Sequence, residues 1–132
     1  MGQEKLGIQD QGLVRAMASM GGGIASSGGP CGALTGGVAL LGSIMGKEAP
    51  EKKDDPRMWK ASYEFYQRFE KEVAATWGSI NCRDITGVDW RNRLQTLTFR
   101  KKDRVTKCAG NTAMAARILG EVLEKYVKEG GQ

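Results

Sequence analysis

The chain reads as an all-α protein, a small bundle of about four to five helices around one central apolar helix. Three observations predict this. Residues 16–46 carry no charged side chain, and their continuous apolar part, Cys31 to Met45, suits a buried helix but falls short of the roughly 20 residues of a membrane span. Two further stretches, Pro56–Trp77 and Asp103–Lys128, repeat apolar side chains every three or four positions, the period of a helix with one buried face. The one strand-like alternation, Leu94-Gln95-Thr96-Leu97-Thr98-Phe99, has no second strand to pair with. At 132 residues the chain is expected to form one domain, large enough to bury a core without disulfides.

Helix one is expected over about Gln9–Met20, with Leu13, Ala16 and Met17 on one face and Gly21-Gly22-Gly23 ending it. A glycine-rich loop, residues 21–30, follows. Helix two runs from Cys31 to Met45. It is apolar all round, which places it at the centre. Gly32 and Gly36 are four apart and share a face, where they let a neighbouring backbone or a cofactor come close. Residues 47–56 form an exposed linker rich in charge and bounded by proline. Helix three spans about Pro56–Trp77, with Trp59, Tyr66, Phe69, Val73 and Trp77 as its core stripe and Gly78 as its stop. Asn81 reads as an N-cap, with Cys82 at the first helical position and Asp84 at the third, and Gly87 closes this short turn. Residues 88–102 follow no decisive pattern. The last helix spans about Asp103–Lys128, where Val105, Cys108, Thr112, Ala115, Leu119, Val122 and Tyr126 form a ladder of threes and fours.

Composition narrows the chemistry. There is no histidine, which removes Ser-His and Cys-His nucleophile pairs and His-ligated metals. Three cysteines, an odd and sparse number, do not make a secreted disulfide framework. Met1–Asp10 carries charges and no apolar signal region, so a cytoplasmic setting is expected. The net charge of +5 is local, because Arg91–Lys107 alone carries +6. Such a stripe fits an acidic partner or a solvated surface. With Phe99 as its one aromatic residue it makes a poor stacking platform, and nucleic acid is not the expected partner. Neither Gly21-Gly22-Gly23-Ile24-Ala25-Ser26 nor Gly42-Ser43-Ile44-Met45-Gly46-Lys47 has the spacing of a nucleotide-binding loop.

The cysteines carry the chemistry that is left. Cys31, in Gly28-Gly29-Pro30-Cys31-Gly32-Ala33-Leu34-Thr35-Gly36-Gly37, opens a helix after a glycine turn, and Cys82 opens one after Asn81. Unpaired N–H groups and the positive end of the helix dipole favour thiolate there, the form that attacks disulfides or binds metal. Cys31 is therefore expected to be the acidic thiol, Cys82 its partner, and Cys108 an inward-facing third. Three readings stay open: thiol–disulfide or electron-transfer chemistry, ligation of an iron–sulfur cluster or other metal by the same three residues, and a non-catalytic interaction domain whose cysteines only fill the core.

The run Cys31-Gly32-Ala33-Leu34-Thr35-Gly36 matches the CGAxxG motif of a redox-active cysteine family labelled C_GCAxxG_C_C. The glycine loop before it, the turn Gly78-Ser79-Ile80-Asn81-Cys82, and Cys108 on a C-terminal helix also resemble that family. The likeness covers roughly residues 6–128. It implies a small helical, prokaryotic protein whose four cysteines cooperate in redox or iron–sulfur chemistry, with Cys31, Cys82 and Cys108 matching three of them. The family's first cysteine lies upstream of the glycine loop, where Met1–Met20 has none. The alternatives are then a disulfide pair, or a ligand set completed by another subunit or solute. Without an upstream helix, helix two is expected to show an apolar face covered by a second copy of the chain or a redox partner protein.

Overall fold

The computed structural model describes residues 1–128, Lys128 by its backbone alone. The described residues form seven α-helices and no strand. They are α1 (Gly2–Leu6), α2 (Gln11–Met17, continued by a 3-10 turn over Ala18–Met20), α3 (Gly32–Met45), α4 (Met58–Trp77), α5 (Cys82–Thr86), α6 (Arg93–Lys102) and α7 (Gly110–Leu123). Wider π-helical turns, Arg104–Ala109 and Glu124–Lys128, flank α7. No described helix is long and apolar enough to cross a membrane.

The all-α expectation holds, and so does the central place of the charge-free helix. α3 packs on both α4 and α7, which also pack on each other, while α1 and α2 lie against α3 from outside. Its buried side chains, Leu34, Leu40, Leu41 and Met45, meet Phe65, Phe69 and Val73 of α4 and Ile118, Val122 and Leu123 of α7 in one core. Ion pairs span the solvent edge of the α4–α7 seam: Arg68 with Glu121, Arg117 with Glu72, and Lys125 with Glu64. Exposed pairs of this kind set register more than they add stability.

The buried stripe of α4 differs from the expected one. Trp59 is 70 % exposed, while Phe65 is fully buried between Ala61 and Phe69. Ala61, Phe65, Phe69 and Val73 recur every four residues, and Trp59, Tyr63 and Tyr66 make an equally periodic aromatic row beside them. Spacing alone does not choose between the two rows; the glycine on the facing helix does. A β-carbon on Gly37 would lie inside the van der Waals shell of the Phe65 ring. The close approach is therefore made at Gly37, by a ring. Gly36 faces open space, and Gly32 meets nothing closer than the Met20 carbonyl at 3.7 Å.

The last helix buries Ala115, Leu119 and Val122 as expected, and departs from the expected ladder in its first half. Val105 is 78 % exposed and Thr112 is exposed, and the buried positions are Asn111, Ala115, Ile118, Leu119, Val122 and Leu123. The π-helical turn at Arg104–Ala109 explains the departure. A five-residue turn holds more chain per revolution, so the side-chain register before it does not carry through it. Asn111, 4 % exposed, accepts a hydrogen bond from the Trp77 indole N–H at 3.3 Å.

Three local features were hidden in the pattern. α1, short and charged, ends in a left-handed Gly7 (φ 67°), with the Ile8 N–H reaching back to the Gln3 carbonyl. Asp10 then caps α2 by accepting from the Leu13 N–H at 2.9 Å, so that helix starts later than expected. The strand-like 94–99 run lies inside α6, which Asn92 caps through the Gln95 N–H at 3.1 Å. Gly78 and Gly87 end α4 and α5 in left-handed conformation as expected.

The 47–56 segment is exposed but tied at both ends. The Lys47 N–H donates to the Asp54 carboxylate, and the Asp55 N–H to the Met45 carbonyl, each at 2.8 Å. The Asp55 carboxylate takes the Arg57 guanidinium side-on, and Arg57 also donates to the Tyr126 carbonyl at 2.8 Å. Hydrogen bonds from Arg57 hold the Asp55 carboxyl down at about 2.

Gly37→Ala forces the Phe65 ring out of place and should cost about 1–3 kcal/mol in urea unfolding. Gly36→Ala, at a mid-helix site with open space, should instead raise stability by about 0.5–1 kcal/mol. The Asp55 clamp should stabilise fully above the ordinary carboxyl value of 3.8 and be lost as pH falls toward about 2. Asp55→Asn should flatten that acid limb in urea midpoints measured across the same pH range.

Candidate functional site

The site begins with two loop-to-helix junctions held side by side. Pro30 and Asn81 form a single antiparallel bridge. Around it, the Cys31 N–H donates to the Ile80 carbonyl at 2.9 Å, the Cys82 N–H to Gly29 at 2.6 Å, and the Arg83 N–H to Gly28 at 3.1 Å. Arg83 adds its guanidinium Nε–H to the same Gly28 carbonyl, also at 3.1 Å. Side chains alternate along extended backbone, so a bridge centred on residues 30 and 81 puts Cys31 and Cys82 on one face as diagonal neighbours. Such neighbours stand about 7–8 Å apart.

The glycine loop forms one wall. Gly22, Gly23, Ile24, Ala25 and Ser26 all have positive φ, between 52° and 74°, and make one continuous left-handed turn. For the three non-glycine residues this costs roughly 1–2 kcal/mol each. The turn is closed by the Gly28 and Gly29 N–H groups on the Gly22 and Gly23 carbonyls, each at 2.9 Å, and by the Ser27 hydroxyl on Gly23 at 2.7 Å. Gly23 must be glycine on two counts: its φ is 74°, and a β-carbon there would stand 2.8 Å from the Cys82 Cβ.

The opposite wall comes from α6 and the π-helical turn. Phe99 is buried and meets the Trp90 ring edge-on, with centroids 5.4 Å apart. Trp90 in turn donates its indole N–H to the Cys82 Sγ at 3.1 Å. Cys108 rides on the π-helical turn. Between the walls lies a cavity of about 570 Å³ lined by Cys31, Cys82 and Cys108 together, with Arg100 and Arg104 at its edge. All three cysteines are free and half-buried. Thus residues 51 and 26 positions apart in the chain share one pocket.

The electrostatics differ from the sequence expectation. Cys31 is the N-cap of α3, one position earlier than expected, and makes no capping hydrogen bond of full geometry through its side chain. The Ala33 and Leu34 N–H groups do draw its pKa down, but burial pushes it up further and Cys82 adds to the rise. The result is a thiol less acidic than usual. A helix end contributes typically 0.3–1 kcal/mol, whereas desolvation of an ionised group is worth more. Cys108 is likewise raised, first by burial and then by Cys82 and Cys31, against the pull of Arg104 and Lys107. At α5 the first N–H groups, those of Cys82 and Arg83, are already occupied by the Gly29 and Gly28 carbonyls. Asn81 stands at the expected cap position but makes no side-chain capping bond.

Among the described residues, no three cysteine, aspartate or glutamate side chains are grouped so as to hold a metal ion. Gly32 borders the thiol pocket, and Gly36 borders a separate apolar cavity of about 400 Å³ beneath α1 and α2. Sequence reasoning missed Trp90, because residues 88–102 lack a clear period. It also missed Arg100 and Arg104 as pocket residues; their spacing of four was the available signal.

A family model described as "Putative redox-active protein (C_GCAxxG_C_C)" matches residues 1–122. No curated protein and no solved structure gives a significant match.

A neutral, half-buried Cys31 implies slow alkylation at neutral pH. The iodoacetamide rate at Cys31, followed by peptide mass spectrometry across pH, should have its midpoint above the ordinary thiol value of 9.0. A midpoint below it would show that the helix end outweighs burial.

Proposed function

The chain belongs to the C_GCAxxG_C_C redox-active protein family, and from that membership we propose that it acts as a two-electron thiol–disulfide carrier. Cys31 and Cys82 form the working pair and Cys108 the third thiol. The observation that supports this is the convergence of the three cysteines on one pocket. In the reduced state both members of the pair are thiols. Oxidation removes two electrons and two protons from them, passes the electrons to an acceptor disulfide, and leaves one new S–S bond in the protein.

A disulfide needs Cβ atoms about 3.5–4.5 Å apart, closer than diagonal neighbours across a bridge. The pair must therefore move together, and the strained left-handed turn abutting Cys82 is the segment suited to yield. Trp90 positions the Cys82 sulfur through its N–H. Metal ligation by the same residues would need all three side chains to draw together from their present positions.

Oxidation of the folded protein with diamide, a neutral oxidant, should lower the free-thiol count from three to one. A non-reduced tryptic map should then link the Cys31 and Cys82 peptides, and Cys108→Ser should leave that link intact. Three thiols surviving oxidation would overturn the proposal. So would stoichiometric iron or zinc in anaerobically purified protein whose thiols are all blocked.

A further inference from the structure

We infer that the substrate of the thiol pocket is a small disulfide bearing carboxylate groups, recognised by Arg100 and Arg104. This rests on the dithiol reading above and adds to it the chemistry of the oxidant.

The pocket's charge is one-sided. Among the described residues, Arg100 and Arg104 are its only charged lining residues and no acidic side chain lines it. The chain's other arginines commonly have partners: Arg57 with Asp55, Arg68 with Glu121, Arg91 with Asp89 and Arg117 with Glu72. Among the described residues Arg100 and Arg104 make no ion pair with a carboxylate. They stand four positions apart, at the end of α6 and the start of the π-helical turn, and both reach the cavity that Cys31, Cys82 and Cys108 share. Two guanidinium groups left unpaired beside nucleophilic sulfur form a fork for planar oxyanions, which arginine binds bidentately. Lys101, Lys102 and Lys107 extend the same positive field outside the cavity, where it draws anions inward.

The occupant's size follows from the cavity. A volume of about 570 Å³ lies within the range of small-molecule sites, roughly 300–1,000 Å³. A free small disulfide suits a cavity of that size. The phenyl and indole edges of Phe99 and Trp90 offer the substrate's carbon skeleton an apolar floor.

The chemistry balances without a further reagent. One protein thiol of the pair loses its proton to solvent and attacks a sulfur of the substrate disulfide. The substrate S–S bond breaks, a mixed disulfide forms, and the first carboxylate-bearing thiolate leaves and takes up a proton. The second protein thiol, deprotonated in turn, attacks the protein sulfur of the mixed disulfide and expels the second substrate thiol. Two electrons pass from the protein to the substrate. Arg100 and Arg104 hold the carboxylates of the substrate portion still bound, first in the disulfide and then in the mixed disulfide.

The test compares three disulfides against the reduced protein at low salt: bis-nitrobenzoate disulfide (a dianion), dipyridyl disulfide (uncharged) and cystamine (a dication). Each rate is divided by that for β-mercaptoethanol, which removes the intrinsic reactivity of the reagent. The normalised rate should favour the dianion over the uncharged disulfide by about tenfold and disfavour cystamine. Added salt should erode the preference. Arg100→Gln with Arg104→Gln should abolish it while the uncharged disulfide still links Cys31 to Cys82, with unaltered circular dichroism showing that the exposed sites tolerate the change.

An equal normalised rate for all three reagents, or a preference that survives in the double variant, would overturn the inference while leaving the dithiol reading in place. Failure of even the uncharged disulfide to link Cys31 to Cys82 would overturn both.

Discussion

The structure of the site depends on one short backbone zipper, the antiparallel pairing of Gly28–Cys31 with Ile80–Arg83 around the Pro30–Asn81 bridge. Four hydrogen bonds, three from main-chain N–H groups and one from the Arg83 side chain, join two helix starts that lie fifty-one residues apart at their cysteines. Without that pairing, α5 is a five-residue helix with no means of placing its first residue. With it, Cys82 sits under the glycine loop and shares a face with Cys31. The pairing also occupies the N–H groups that would otherwise make the start of α5 an anion-attracting end.

The glycines serve that arrangement in different ways. Gly37 lets the Phe65 ring press against α3, which brings α4 onto the central helix and locks the core from which both junctions emerge. Gly23 allows the loop to pass over Cys82 at a distance that no side chain permits. Ile24, Ala25 and Ser26 are then carried into left-handed conformation as a consequence. Backbone strain of this kind persists where surrounding contacts over-determine it, and it concentrates at working sites. Here it lies in a wall of the thiol pocket.

Two opposing effects set the character of the sulfur atoms. Helix N–H groups and nearby cations favour the thiolate, and burial in a pocket walled by glycine, Phe99 and Trp90 opposes it. Burial wins at Cys31 and Cys108. Crowding adds to it, since each ionised sulfur raises the cost of ionising the next. The pocket therefore keeps Cys31 and Cys108 protonated at neutral pH. That disfavours indiscriminate attack by the thiols and leaves activation to whatever charge or substrate enters.

Much of this was legible in the linear chain. The charge-free stretch determined a central helix, because no other environment suits fifteen consecutive apolar or neutral residues short of a membrane. Gly78 and Gly87 determined two helix ends, since a left-handed residue is needed there and glycine adopts it at least cost. The helix-start placement of Cys31 and Cys82 and the CGAxxG run pointed to the sulfur chemistry. Tertiary structure decided the rest. Phe65 over Trp59 was chosen by the gap at Gly37, a fact about the facing helix that α4's own period does not contain. The ladder of the last helix held from Ala115 onward but failed at Val105, where a π-helical turn breaks the repeat on which pattern reading relies. The acidity of Cys31 was reversed by burial, a property of every residue around it and of none beside it in the chain. A sequence determines the interactions a segment makes with itself; which partner arrives across the core is settled only when the whole chain has packed.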